Sequence, residues 1–310
     1  AYEILFVRML SLAVGSTLHA FELMLASFIA GIALGALWVR KRADSTKSPL
    51  KLLAIMQILM GLTALMALAF YANAFAWVGF LVESLSRTDG GYTLFNLGTA
   101  AIAVLIMVPT AFFAGTTLPL FTVALLRDGQ GESSIGRVYA WNTVGAIVGV
   151  LAAIHLLIPL LGIKLAMIVA ATVDIGIGVM ILRFIAESRP DFHRVGAGFG
   201  VMVAAILAGI ILIPFDAMKL SSGVYRTGSD RLSDANEILF YRDGKTASIS
   251  VSYSTSGVMR ISTNGKVDAS LQTFGDQLPT LDEPTMIIAG ALPLAYNNTA
   301  RSAAVIGFGS

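Results

Sequence analysis

Residues 302–310, Ser-Ala-Ala-Val-Ile-Gly-Phe-Gly-Ser, carry an apolar strand pattern straight into two glycines. Glycine lets a backbone turn sharply and approach a bound nucleotide closely, which makes Gly307, Gly309 and Ser310 candidates for a nucleoside-binding turn. In a chain with 30 glycines the same Gly-x-Gly also suits an ordinary turn after a strand. Upstream, Asp268, Asp276, Asp282 and Glu283 supply carboxylates able to hold a cationic amine or remove its proton, although turn-rich segments commonly carry solvated Asp. Thiol and metal chemistry have little to work with. There is no cysteine, the three histidines (His19, His155 and His193) are scattered, and no metal site is expected. Asn297-Asn298-Thr299 matches a glycosylation sequon and is read as a chance match.

Other chemistry-bearing residues lie in or beside apolar runs: Glu3, Arg8, His19, Glu22, His155, Lys164 and Asp174. Charge inside a bilayer is costly and marks a pathway or a buried pair, whereas near a span end Lys and Arg snorkel to the interface. Asp174, in the middle of its run, is the candidate for a buried polar role.

The elements that must position these groups fall into two halves. The 310 residues are 56% hydrophobic and 13% charged, with a mean hydropathy of +0.79, which indicates a membrane protein. A net charge of +2 gives no basic excess for nucleic acid and no acidic disordered tail. Apolar runs at about 18–38, 52–72, 98–120, 139–160, 163–184 and 196–214 approach the roughly 20 residues that span a bilayer as a helix. Residues 1–14 are read as the tail of an earlier span or of its connecting loop, in a fragment, because no initiator Met or basic n-region precedes them. Gly31-x-x-x-Gly35 and Gly145-x-x-x-Gly149 are faces suited to close helix packing.

After residue 214 the composition turns polar, with eight basic and nine acidic side chains in 216–310. Residues 247–253 and 258–263 are predicted strands, Asn264-Gly265 a turn, 284–294 a short helix and 303–306 a buried strand. The expected organisation is a helical transmembrane domain at 1–214, a small antiparallel β domain at 215–280, and the start of a Rossmann-like domain at 281–310. The loop holding Arg40, Lys41, Arg42, Lys47 and Lys51 against Asp44 belongs in the cytoplasm by the positive-inside rule. Five spans then place the polar half outside. An extra crossing at 75–85, or a break at Pro109 or Pro119, would place it inside.

The ordered motifs Phe28-Ile-Ala-Gly-Ile-Ala-Leu-Gly35, Phe113-Ala-Gly-Thr-Thr-Leu-Pro119, Gly136-Arg-Val-Tyr-Ala-Trp-Asn-Thr-Val-Gly-Ala146, Tyr241-Arg-Asp-Gly-Lys245, Asn264-Gly-Lys-Val-Asp268, Asp282-Glu-Pro-Thr-Met286 and Val305-Ile-Gly-Phe-Gly-Ser310 resemble the membrane-fused relatives of spermidine synthase over nearly the whole chain. The resemblance implies a multi-pass inner (plasma) membrane protein whose small β domain leads into a Rossmann-like methyltransferase fold. It implies transfer of an aminopropyl group from decarboxylated S-adenosylmethionine, or use of S-adenosylmethionine itself, to a small-molecule amine such as putrescine. Gly307, Gly309, Ser310 and Asp268 would bind the cosubstrate, and Asp282 and Thr285 the substrate. Asp268 stands where soluble members carry Gln, Thr285 and Met286 where they carry a Tyr-His pair, and Ala291 where a His is often found. The family's catalytic carboxylate falls beyond Ser310, so these residues alone are expected to be inactive. The lipid bilayer and a second copy of the chain are the expected macromolecular partners. The alternatives are an S-adenosylmethionine-dependent transferase with another acceptor, or a transporter or scaffold carrying a sensor domain.

Overall fold

A computed structural model describes residues 1–185, 200, 203, 204, 209, 211, 213 and 215–304. Among them, four helical stretches are long and apolar enough to cross a membrane: Leu18–Ala43, Pro49–Ser84, Asp89–Arg127 and Ser133–Ile185. The run expected at 196–214 falls largely outside the described residues.

A short helix α1 (Tyr2–Val14) precedes α2 (Leu18–Ala43), α3 (Pro49–Ser84) and α4 (Asp89–Arg127). Thr17, Ser48 and Thr88 each accept a backbone N–H of the first turn, which ends the preceding loop and starts the helix. At 1.5 Å per residue the 36 residues of α3 extend about 54 Å, well beyond a hydrocarbon core of about 30 Å. Residues 75–84 therefore prolong the same helix and make no further crossing. Helix α4 runs unbroken through Pro109 and Pro119, so the alternative of a break at either proline does not hold. Next come α5 (Ser133–Ala152), a π-helical turn at Ala153–Leu157 and α6 (Ile158–Ile185), with a kink at Gly162 (φ 78°, ψ 168°). That kink separates the two runs expected at 139–160 and 163–184.

Glycines set the packing. Gly31 lies against Val108 and Ala111, and a Cβ at Gly35 would overlap the Phe112 carbonyl, so α2 and α4 run parallel in close contact. Gly61 meets Ala171 and Ile175, while Gly178 meets Ala54 and Ile58, so α3 and α6 run antiparallel. The core formed by α1, α3, α4 and α6 centres on Phe6, Leu68, Tyr71, Phe75 and Met107. By contrast, Gly145 has open space around it and most of α5 is exposed. Among the described residues the second face meets only Ala1, the residue before α1, which lies 3.7 Å from a Cβ placed at Gly149.

The polar half begins with two one-turn helices, α7 (Ala217–Leu220) and α8 (Val224–Thr227), and continues as a sheet. Strands β1 (Asn236–Asp243), β2 (Ser248–Ser254), β3 (Val258–Thr263) and β4 (Lys266–Gln272) form an antiparallel meander in the order 1-2-3-4. Asn264 and Gly265, both at positive φ, make the tight turn between β3 and β4. The alternation in β2 is inverted from the usual pattern: Ser248, Ser250, Ser252 and Ser254 are buried, and Ile249, Val251 and Tyr253 are half-buried. Helix α9 (Asp282–Tyr296) follows, with none of its residues buried. Ala303 and Ala304 are exposed and not in a strand, so the first half of the expected 303–306 strand is absent. The chain is thus a helical membrane domain followed by a small antiparallel sheet.

Sheet and basic loop occupy opposite ends of the bundle. Arg127, closing α4, donates to the carbonyls of Thr46 at 2.5 Å, Asp44 at 2.6 Å and Ala43 at 3.2 Å, which ties that end to the basic loop. At the other end, Gly79 lies against Gly228, Lys219 donates to Ala72 O at 3.2 Å, and Asn264 donates to Ser16 Oγ at 3.0 Å.

Candidate functional site

The corner between β4 and the start of α9 gathers most of the described candidate residues. Ser270, directed inward on β4, donates to Asp282 Oδ2 at 2.5 Å. One carboxylate oxygen of Glu283 accepts the backbone N–H of Gln272 at 2.6 Å and that of Thr280 at 2.9 Å. Thr280 also donates its hydroxyl to Ser270 O at 2.9 Å. Two acids at the first turn suit a helix N-terminus, where unpaired N–H groups favour negative charge. The N–H groups of Thr280 and Gln272 hold the Glu283 carboxyl below its ordinary range. Asp268 lies two residues before Ser270, at the irregularity in the β3–β4 pairing, and is exposed, with its Oδ1 3.9 Å from Lys266 Nζ. Thr285 is exposed on α9, and its side chain has no hydrogen bond among the described residues. Asp276 stays outside the corner, exposed in the loop before it. Gly307, Gly309 and Ser310, proposed for the nucleoside turn, lie outside the described residues.

This arrangement can hold a cation. The Asp268 carboxyl is exposed to solvent, and Asp282 keeps one oxygen without a protein donor among the described residues. Glu283 accepts two backbone amides and the Thr280 hydroxyl, at 3.2 Å, through the same oxygen, so its carboxylate ties β4 to the start of α9.

A second polar cluster sits where the sheet meets the bundle. Asp243 Oδ1 accepts from Ser248 Oγ at 2.6 Å and from Tyr241 Oη at 2.9 Å, and Asp243 Oδ2 accepts the N–H of Ile163 at 3.0 Å. Helix α6 restarts after the Gly162 kink, so a carboxylate from the sheet caps a bundle helix. Burial first, and then the Asp243 charge, push the Tyr241 phenol far above its ordinary value, keeping it a neutral donor. Arg8 of α1 is 7% exposed and donates to Thr246 O at 2.6 Å and Gly244 O at 3.2 Å, gripping the β1–β2 turn. A cavity of about 520 Å³ borders this cluster, lined by Gly162, Lys164, Phe215, Tyr241, Arg242 and Asp243 among others. In the sequence, Arg8 stands out only as a charge in or beside an apolar run, and Asp243 is not marked as a site residue. The signal was Tyr241-Arg-Asp-Gly-Lys245, whose turn must meet a partner at the bundle.

Within the membrane half, Asp174 accepts from Tyr2 Oη at 2.5 Å and from Gln57 Nε2 at 2.6 Å. The buried polar role expected for it is met by two neutral donors. His19 and Glu22 lie 3.3 Å apart on the exposed start of α2, and His155 is exposed in the π turn. No group of three or more His, Cys, Asp or Glu that could hold a metal occurs among the described residues.

Comparison with protein families, with curated proteins and with solved structures finds no match for this chain. The class these observations define is a multi-helix membrane protein with an antiparallel sheet fastened to one end of its bundle.

Proposed function

We propose that the chain is the membrane bundle and adaptor sheet of a spermidine-synthase-like transferase, which moves an aminopropyl group from decarboxylated S-adenosylmethionine to an amine such as putrescine. The observation that carries this reading is the β4–α9 corner, where Ser270 of β4 holds Asp282 at a fastened helix start and Asp268 stands exposed two residues earlier on the same strand. A meander that runs into a helix, followed by a glycine turn, is the element order the sequence resemblance implies. In the reaction an unprotonated amine attacks the methylene next to the sulfonium, the C–S bond breaks, and methylthioadenosine leaves with the electron pair. The amine proton passes to a carboxylate. Gly307, Gly309 and Ser310 would take the nucleoside, and Asp268, Asp282 and Thr285 would face the cationic parts of the two substrates.

The position of the basic loop favours a second reading. With residues 40–51 in the cytoplasm, the sheet end lies on the extracytoplasmic face. Both substrates must then reach the corner from that side, and a corner that binds an amine without transfer would make the protein a sensor or scaffold. Another acceptor for S-adenosylmethionine fits the same corner.

The test is to express the full reading frame in membranes, supply decarboxylated S-adenosylmethionine and putrescine, and follow methylthioadenosine and spermidine by mass spectrometry. Stoichiometric appearance of both products is expected, with Asp268→Asn raising KM for the cosubstrate. Binding of the amine without either product would leave the sensor reading.

A further inference from the structure

A groove of about 510 Å³ lies between α3, α4, α5 and α6 at the basic-loop end of the bundle. Its inner wall is mainly apolar, with Leu53, Leu118, Phe121 and Ile177 among its residues, and its mouth carries Arg137, Trp141 and Asn142 from α5. All three mouth residues are exposed, so the groove opens on the side of the bundle that meets lipid. Arg137 donates one N–H to Gln130 Oε1 at 2.9 Å. Its other donors, the Trp141 indole N–H and the Asn142 amide have no hydrogen-bond partner among the described residues.

Depth along α5 separates these groups by chemistry. Counting from Ser133, Arg137 lies about 6 Å and Asn142 about 13 Å along the helix, so with the first turn of α5 at the membrane surface the first meets headgroups and the second the edge of the hydrocarbon. Polar groups so placed need acceptors that hydrocarbon cannot supply. A phosphodiester matches the guanidinium in charge, ester carbonyls can accept from indole and amide, and an acyl chain fills the apolar wall. We propose that this groove is a binding site for one anionic phospholipid of the leaflet facing the basic loop. The site is independent of the transferase reading, since it lies at the opposite end of the bundle from the β4–α9 corner.

The experiment uses the full chain in detergent and measures binding by native mass spectrometry and thermal unfolding. The probes are dioleoyl phosphatidylglycerol, dioleoyl phosphatidylcholine and inorganic phosphate. One phosphatidylglycerol should bind and raise Tm, with little effect from the other two. Arg137→Ala should weaken phosphatidylglycerol binding about tenfold, the loss of a charge-assisted contact, while Arg183→Ala at the same end should leave it unchanged. Asn142→Leu supplies a second variant, expected to bind less tightly with Tm in the absence of lipid preserved. Equal binding of phosphatidylcholine, a matching effect of inorganic phosphate, or unchanged binding in both groove variants would overturn the proposal.

Discussion

Arg8 and Asp243 join two parts of the protein that differ in solvent. Each satisfies backbone groups across the junction: Arg8 those of Gly244 and Thr246, Asp243 that of Ile163. Removing one partner strands the other without water, so Arg8→Ala should cost about 2 kcal/mol and Asp243→Ala at least as much. Both are expected to lower Tm in detergent while leaving helix content intact by circular dichroism; an unchanged Tm would show that the sheet holds without them. Glu283 gives a pH dependence of determinate sign. Its carboxyl is held below the ordinary value of 4.5 in the folded chain, so its tie between β4 and α9 is present above that value and is lost as pH falls through the lowered one. Amide shifts of Gln272 and Thr280 should move together as acid is added, and Glu283→Gln should abolish the movement. An acid-insensitive pair of amides would remove Glu283 from the tie.

At the scale of elements, the small-residue face of α2 sets how near α4 can come. Gly35→Leu would drive a side chain into the Phe112 carbonyl, and a cost of about 3 kcal/mol is expected, against little for Gly145→Leu on the open face of α5. Thermal unfolding of the two variants separates these outcomes. The spans were legible in the sequence because apolar runs in a bilayer have one helical solution, and β2 and β3 were legible through alternation and the Asn264-Gly265 turn. Strand β1 was hidden by Ile-Leu-Phe at 238–240, where a register shift between Ile238 and Phe240 breaks the period of two. Strand β4 was hidden because Lys-Val-Asp-Ala-Ser carries little β propensity and gains its place by pairing with β3. Extension of α3 beyond the bilayer was not legible either, since its last turns contact α8 and residue 228 and no periodicity reports that. Of the candidate site, the acids were visible in the sequence, whereas the holding of Asp282 by Ser270 and of Glu283 by two backbone amides needed the corner's geometry.

For the whole molecule, the decisive feature is that the sheet and the basic loop stand at opposite ends of one bundle. The absence of cysteine makes this directly measurable: Thr255→Cys on the β2–β3 turn should react with a membrane-impermeant maleimide on intact cells, and Ser45→Cys only after lysis. Labelling of both from the same side would contradict the bundle's polarity. Under the proposed transferase reading, that polarity assigns the transfer to the sheet end, because Asp268 and Asp282 travel with the sheet. The most direct test therefore supplies decarboxylated S-adenosylmethionine and putrescine to sealed vesicles of known orientation that contain the full reading frame. Methylthioadenosine and spermidine should appear with right-side-out vesicles and not with inverted ones. Product formed only by inverted vesicles would contradict the placement of the sheet, and product from neither, with the protein folded and the amine bound, would contradict the transferase reading.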